Sequence, residues 1–387
     1  MSAPFRNLHA LVVGAGAMGS GIAQVLAEAG WSVLLYDTQD AALESGIARV
    51  RAAWDRLLDK GKITAAQRDD YTARLAPAYV LREAADVSLA IEAIYENLEA
   101  KRSVFATLDD VVGEDCILAT NTSSLSVSSI AAGIKRPERL IGLHFFNPAP
   151  LMPLVEIVPG IATAPEVVLA CIQAVSQWGK VGVEAQDSPG FLVNRIARPF
   201  YGEALHLVEE GMADMATVDW AMTELGGFRM GPFSLMDFIG HDVNYVVTET
   251  IWKQFYCDPR FRPSLSQKRL LEAGWLGRKS GRGFYDYRKG ASLPEPTRDS
   301  NLGRQIVDRI VAMLINEAAD AVYRGIGSES DVETAMVQGV NYPKGLLAWG
   351  REWGWTKVRD QIEALRERTG DPRYRVCPWI HDQISAV

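Results

Sequence analysis

At 387 residues the chain is long enough for two or three domains with sizeable cores. It is 48% hydrophobic and 23% charged with a formal net charge of −8, the balance of a soluble globular protein. That charge argues against a nucleic-acid partner and for a cytoplasmic protein, whose anionic ligands would need a local basic patch. The four cysteines, Cys116, Cys171, Cys257 and Cys377, form no CxxC or Cys/His cluster, so reduced buried thiols are expected and no metal site is predicted.

The first element is an apolar run, His9 to Val13, of strand type. It empties into Gly14-Ala15-Gly16-Ala17-Met18-Gly19, followed by an alanine-rich helical pattern to Glu28. A second apolar run, Val33 to Tyr36, ends on Asp37. Strand, GxGxxG, helix, strand and acid form the dinucleotide-binding fingerprint in its required order. Gly14 allows the tight turn, Gly16 lets the backbone approach a pyrophosphate, and Gly19 lets the helix pack against the strand. The phosphates would sit at the helix start, where unpaired N–H groups and the macrodipole favour negative charge. Asp37 would accept hydrogen bonds from the ribose hydroxyls and repel a 2′-phosphate, which favours NAD over NADP. A rival reading exists, because the segment from Asn7 to Ala27 carries no Asp, Glu, Lys or Arg and follows Arg6, as in a signal peptide or membrane span. The glycines and the position of Asp37 favour the nucleotide reading, with no membrane partner.

Helical periodicity over 40–60 and again over 64–75 predicts an αα-hairpin projecting from the sheet, with Gly61 at its bend. Its Arg56, Lys60 and Lys62 could meet a phosphate-rich ligand, or form a solvated basic face. Strands follow at Val87 to Ile91, Ile117 to Ala119 and Leu140 to Leu143, separated by helical patterns, which predicts a parallel doubly wound sheet. Ligands of such sheets sit beyond the carboxyl ends of the strands, and Glu96, Ser123 and His144 all fall there.

Asp187-Ser188-Pro189-Gly190 marks a shift to helical pattern, so the sheet domain is assigned to 1–187. The remainder contains an internal repeat. A constant offset of 114 positions (309 − 195) pairs Arg195 with Arg309, Glu203 with Glu317, Gly231 with Gly345 and Gly240 with Gly354. Two related all-α domains, 188–290 and 300–387, are therefore expected, joined by a charged, proline-bearing linker. Asn194 corresponds to Asp308, so the second copy reads as a packing unit. Trp349, Trp353, Trp355 and Trp379 crowd the last forty residues and are expected to fill a domain interface.

A nicotinamide-dependent oxidation needs a base to take a hydroxyl proton as hydride leaves the carbon. Of five histidines, His144 is the one at a strand end on the ligand rim. Glu156 interrupts the apolar run Leu154 to Val158, where a carboxylate is costly unless paired. Pairing with His144 would orient the imidazole and stabilise its charged form. Ser123 is placed to hydrogen-bond the reacting oxygen, or alternatively to cap the following helix in competition with Ser126 and Ser128. A hydrolase reading of serine, histidine and acid lacks the G-x-S-x-G elbow and leaves the nucleotide fingerprint unused.

Six motifs, taken together, resemble the bacterial NAD-dependent L-3-hydroxyacyl-CoA dehydrogenases. They are GAGAMGSGIAQ over 14–24, Glu92 to Leu98 with Lys101, Asn121 to Leu125, His144 to Pro148 with Pro153 to Glu156, Pro189 to Arg195, and Gly281 to Tyr285. The tandem helical copies resemble the longer bacterial members, including 3-hydroxybutyryl-CoA and 3-hydroxyadipyl-CoA dehydrogenases, although the linker is shorter than in many of them. The resemblance implies a Rossmann-type doubly wound α/β domain followed by two related all-α domains. It implies that His144 is the base, Glu156 its orienting partner, and Ser123 and Asn194 the groups that position the C3 oxygen and thioester. Gly14, Gly16, Met18, Gly19 and Asp37 would bind NAD, with Glu96 and Lys101 at the nicotinamide-side ribose. The site would lie in the cleft between domains, with CoA crossing toward the hairpin. Single-copy relatives pair through their helical domains, so this chain would be a homodimer or a pseudo-dimeric monomer. Dehydrogenases of free 3-hydroxy acids, such as those acting on L-gulonate or L-carnitine, are the nearest rival. A non-catalytic NAD-binding protein is the rival of another class.

Overall fold

The runs His9–Val13 (β1) and Ser32–Tyr36 (β2) lie side by side as parallel strands, with Ala17–Glu28 (α1) as the crossover between them. The structure, a computed structural model, describes residues 5–386. After β2 come the helices Asp40–Asp59 (α2) and Ala65–Ala73 (α3), then a strand, Leu75–Ala78 (β3), paired in parallel with β2. Helical periodicity had carried this segment through 75. The chain instead leaves the helix at Arg74 and takes the outermost position of the sheet, where Pro77 has no ladder N–H to lose. One face of α2 packs on the core of the sheet unit. Leu43, Val50 and Trp54 of α2 are buried, and the Trp54 indole donates to Glu28 Oε1 at 2.8 Å.

The unit continues through Leu89–Glu92 (β4), Leu98–Val111 (α4), Ile117–Thr120 (β5), Val127–Ala131 (α5), Leu140–Phe145 (β6), Leu154–Pro159 (β7), Pro165–Gln177 (α6) and Val181–Glu184 (β8). The strand order is β3-β2-β1-β4-β5-β6-β7-β8, with every neighbouring pair parallel except β6 and β7, so β7 and β8 run opposite to the other six. Only residues 146–153 separate these two strands, too few for the crossover that a parallel neighbour requires. The chain therefore turns back on itself, and residues of β6 and β7 come to face one another.

The chain divides between Ser188 and Pro189 into this unit and a helical one. The first helical repeat holds Val193–Ile196 (α7), Arg198–Glu209 (α8), Met215–Trp220 (α9), Pro232–Ile239 (α10), His241–Gln254 (α11) and Leu265–Glu272 (α12). The second holds Ser300–Tyr323 (α13), Glu329–Val340 (α14), Leu346–Trp353 (α15), Trp355–Thr369 (α16) and Pro378–Ser385 (α17). The sequence offset is matched by local structure. Asp214 caps α9 by accepting from Thr217 N at 2.8 Å, and Ser328, 114 residues on (328 − 214), caps α14 by accepting from Asp331 N at 3.1 Å. Asp219 accepts from Phe233 N at the start of α10, as Glu333 does from Leu347 N at the start of α15. Gly240 and Gly354 both adopt positive φ, at 99° and 82°, in the sharp turns that follow.

The two repeats form one compact unit, and their contact is reciprocal. Arg195 Nε donates to Glu317 Oε1 at 2.7 Å, and Arg309 Nε donates to Glu203 Oε2 at 2.8 Å. Since the offset relates 195 to 309 and 203 to 317, each repeat offers the other the same arginine and the same acid, the signature of a two-fold interface. Trp349 stacks on Phe228 of the first repeat at 5.9 Å between centroids, whereas Trp355 packs edge-on against Trp379 within the second. Cys116, Cys171 and Cys377 are buried, and burial pushes the first two thiols up to about 12. Cys257 departs from the expectation of buried thiols: it is exposed, on a turn at φ 63°.

Candidate active site

The carboxyl ends of β1, β2, β4, β5 and β6 form one rim because these strands are parallel and nearly in register. At its centre is the glycine loop. Gly14 has φ 102°, and a Cβ there would lie 2.6 Å from the Ala93 carbonyl oxygen. A Cβ on Gly19 would overlap the Gly14 carbonyl, so the helix sits hard against the loop. At Gly16, the residue opening α1, a Cβ would point into open space, where a ligand can approach the bare backbone. Met18 packs against the core at the start of the same helix.

A groove of about 740 Å³ runs from this loop to Asp37 and is lined by Gly14, Gly16, Asp37, Arg49, Ile94 and Tyr95, among others. Asp37 Oδ2 accepts from Ala15 N at 2.8 Å and Oδ1 from Gln39 N at 3.0 Å, which fixes the carboxylate at the groove's edge. Arg49 was not singled out from the sequence. It donates to Ser20 Oγ at 2.8 Å and to the Ala15 carbonyl at 3.2 Å. The signal lay in Gly46, one turn earlier, where a Cβ would meet Ala15 at 2.8 Å, so α2 closes on the loop there.

The next strand ends carry a buried ion pair that reaches outward to Glu96. Glu92, wholly buried at the end of β4, accepts from Lys101 Nζ at 2.6 Å, from Thr120 Oγ1 at 2.7 Å and from Ile94 N at 2.7 Å. Lys101 is 1% exposed, and its ammonium also lies 3.2 Å from Glu96 Oε2. Glu96 Oε1 accepts from Thr122 Oγ1 at 2.6 Å and from Ser123 N at 2.9 Å. Burial pushes the Glu96 carboxyl up, but Lys101 and the bonds from Thr122 and Ser123 outweigh it and hold it below its ordinary value. Lys101 thus acts from below, positioning Glu96, which in turn pins the loop that carries Ser123. Ser123 is not the cap of α5: Ser126 is, accepting from Ser129 N at 3.1 Å, with Asp187 accepting from Val127 N and Ser128 N.

His144 and Glu156 are directly paired across the antiparallel β6–β7 ladder. Their side chains meet on one face of the sheet, with Nδ1 2.6 Å from Glu156 Oε2. Glu156 is wholly buried and His144 nearly so, and the Phe146 ring lies 4.6 Å from the imidazole between centroids. A carboxylate can only accept, so Nδ1 carries the hydrogen, and the neutral ring then has its lone pair on Nε2. Asn121 Oδ1 accepts from Phe145 N at 2.9 Å and ties the serine loop to the histidine strand.

Asn194 lies in the helical unit on α7, its carbonyl accepting from Arg198 Nε at 2.7 Å. Arg56, Lys60 and Lys62 are exposed at the end of α2 beyond Trp54, which contacts the last residue of α1.

Comparison with known proteins decides what this arrangement belongs to. Residues 9–188 match the family model for the 3-hydroxyacyl-CoA dehydrogenase NAD-binding domain, and residues 190–287 and 306–386 each fall within matches to that family's C-terminal domain. The chain belongs to the 3-hydroxyacyl-CoA dehydrogenase family. This dehydrogenase is 38% identical to a 3-hydroxyadipyl-CoA dehydrogenase of Escherichia coli, across 96% of each chain. It is 42% identical to a probable 3-hydroxybutyryl-CoA dehydrogenase of Bacillus subtilis, covering 73% of this chain and 98% of that one. A solved 3-hydroxybutyryl-CoA dehydrogenase from Escherichia coli superposes with a TM-score of 0.92 at 36% identity, over 97% of this chain and 98% of the other. The dehydrogenase is an NAD-dependent oxidoreductase. The bare backbone at Gly16 and the anchored Asp37 carboxylate suit the diphosphate and a free ribose diol. Among its described residues no helix is long and apolar enough to cross a membrane.

Proposed function

We propose that the protein oxidises an L-3-hydroxyacyl-CoA to the 3-ketoacyl-CoA, reversibly, with His144 as the base and Glu156 as its positioning partner. The observation that carries this reading is the 2.6 Å contact between His144 Nδ1 and Glu156 Oε2, set by strand register on the rim that also carries the glycine loop. NAD bound in the groove supplies the acceptor for the hydride that leaves C3. His144 Nε2 takes the C3 hydroxyl proton in that step and returns it in the reverse direction. Glu156 stabilises the resulting imidazolium through Nδ1–H, as a buried acid does in other acid–histidine pairs. We assign Ser123 and Asn194 to the C3 oxygen and the thioester, and Glu96 to the nicotinamide-side ribose with Lys101 behind it.

The acyl-CoA branch follows the names of the relatives, which include both hydroxybutyryl and hydroxyadipyl thioesters. Oxidation of NADH with acetoacetyl-CoA, compared with free acetoacetate, tests it. Turnover of the thioester alone is expected. Turnover of the free acid instead would move the protein to the free hydroxy-acid branch, and turnover of neither, with NADH still bound, would make it a binding protein. The reciprocal Arg195–Glu317 and Arg309–Glu203 pairs support reading the two repeats as a one-chain counterpart of a dimer interface, so we expect no pairing through that surface when mass is measured in solution.

A further inference from the structure

Arg195, Arg198, Arg260, Arg309 and Arg373 of the helical unit have buried side chains, and all of them except Arg198 face carboxylates. Arg195 pairs with Glu317 and Asp320, Arg309 with Glu203 and Glu210, Arg260 with Asp258, Glu317 and Asp320, and Arg373 with Glu203, Glu210 and Asp371. Arg198 is the exception. It is 6% exposed, yet no carboxylate among the described residues lies within 4.0 Å of it. Its Nε donates to the Asn194 carbonyl at 2.7 Å and its Nη1 to Thr248 Oγ1 at 3.0 Å, both neutral acceptors. Nη2 makes no hydrogen bond to a described residue. A buried guanidinium without a counter-charge is costly, and a protein that keeps one has a use for it.

The surroundings are those of an anion receptor. The guanidinium carbon lies 4.9 Å from the centre of the Tyr201 ring. Tyr342 is buried, its hydroxyl has no hydrogen-bond partner among the described residues, and it lies within electrostatic reach of Arg198. Unpaired donors on a tyrosine and an arginine together suit a carboxylate, which offers two oxygens and several lone pairs. The second repeat provides an internal control. The offset of 114 (312 − 198) puts Ala312, Ile315 and Ile362 where the first repeat has Arg198, Tyr201 and Thr248, and all three are fully buried. The scaffold therefore accepts an apolar filling here, and only the copy bearing Asn194 has a polar one.

We infer that Arg198 receives the terminal carboxylate of a dicarboxylic acyl chain and makes the enzyme selective for 3-hydroxyacyl-CoA thioesters that carry a second acid group. The inference rests on the activity proposed above, with Asn194 at the thioester end of the acyl chain. Arg198 stands four residues after Asn194, roughly one helical turn or 5.4 Å. In a six-carbon chain the far carboxylate carbon is five bonds from the thioester carbon, roughly 6 Å end to end in an extended chain at about 1.5 Å per bond. One turn of helix thus spans the distance between the two ends to be held.

The test compares kcat/KM for the six-carbon 3-hydroxyacyl-CoA bearing a terminal carboxylate with that for 3-hydroxyhexanoyl-CoA. The wild-type enzyme is expected to favour the dicarboxylic thioester by about 10–100-fold, the scale of a charge-assisted hydrogen bond. Arg198→Met is expected to collapse that ratio toward one, and Arg198→Lys, which keeps the charge, to retain part of it. Equal oxidation of both thioesters by the wild-type enzyme would overturn the role of Arg198 while leaving the activity standing, and needs no variant to fold. An Arg198→Met enzyme that loses both substrates in proportion would also overturn it, because the arginine would then serve only Asn194 or a phosphate of CoA. Oxidation of neither thioester by the wild-type enzyme would overturn the proposed activity and this inference with it.

Discussion

Between the first helical repeat and the second, the offset of 114 positions keeps the groups that shape helices and changes those that face inward beside Asn194. Asp219 and Glu333 tie down α10 and α15 in the same way, and Arg195 and Arg309 cross the interface to equivalent acids. In contrast, Asn194 becomes Asp308, which lies 3.7 Å from Lys357, and Arg198, Tyr201 and Thr248 become Ala312, Ile315 and Ile362. Burial of charge alone therefore does not mark function in this protein. Most buried ion pairs of the helical unit are fastenings, and the informative groups are those whose copy has been allowed to turn apolar.

The comparison breaks first if the reciprocal pairs are not fastenings. Arg309→Ala takes from buried Glu203 its closest arginine, leaving it Arg373 at 3.6 Å and the Tyr374 hydroxyl at 2.9 Å, and should destabilise the fold by about 3 kcal/mol, measured as a lower denaturant midpoint at unchanged slope. A loss below about 1 kcal/mol would mean the interface is held by its apolar contacts alone. The next effect sharpens the contrast between the copies. Asn194→Ala should lower kcat/KM by roughly 10²-fold, the scale for one donor to a developing oxyanion, whereas Asp308→Ala should leave it within about 2-fold. Equal losses would give the second repeat a part in the chemistry.

The smallest effect concerns a rim acid that differs from these fastenings. Because Glu96 is held below the ordinary carboxylate value, its contribution to the serine loop is fully present above that value and is lost only as pH falls through the lowered one. NADH affinity should therefore be flat through neutral and mildly acid pH. Lys101→Met removes the main opposing charge and leaves burial dominant, so the fall should begin at higher pH. A profile unchanged by that substitution would separate Lys101 from the loop.

The nucleotide loop was legible because its glycines answer to backbone requirements that act within one strand–turn–helix segment. The His144–Glu156 pair was legible for a different reason: an acid in an apolar strand needs a partner, and the short turn at 146–153 brings β7 back against β6. Arg49 was not found, and Glu92 was noted only as part of a motif without a role, since each takes its meaning from residues brought near only by the fold, Ser20 in one case and Thr120 in the other. β3 was missed because four residues, one of them proline, carry no strand period, and their place is set by pairing with β2. Arg198 could not be singled out from the sequence either. A sequence shows that an arginine is present, but only the folded unit shows that it lacks a carboxylate.

The account depends most on His144 as the group that takes the proton. The direct measurement is the steady-state rate of NADH oxidation with acetoacetyl-CoA by the His144→Gln variant, with NADH affinity measured on the same sample. The account predicts a rate lowered by about 10²–10⁴-fold with NADH binding little changed. A near-normal rate, or a rate lost only because NADH no longer binds, would contradict it.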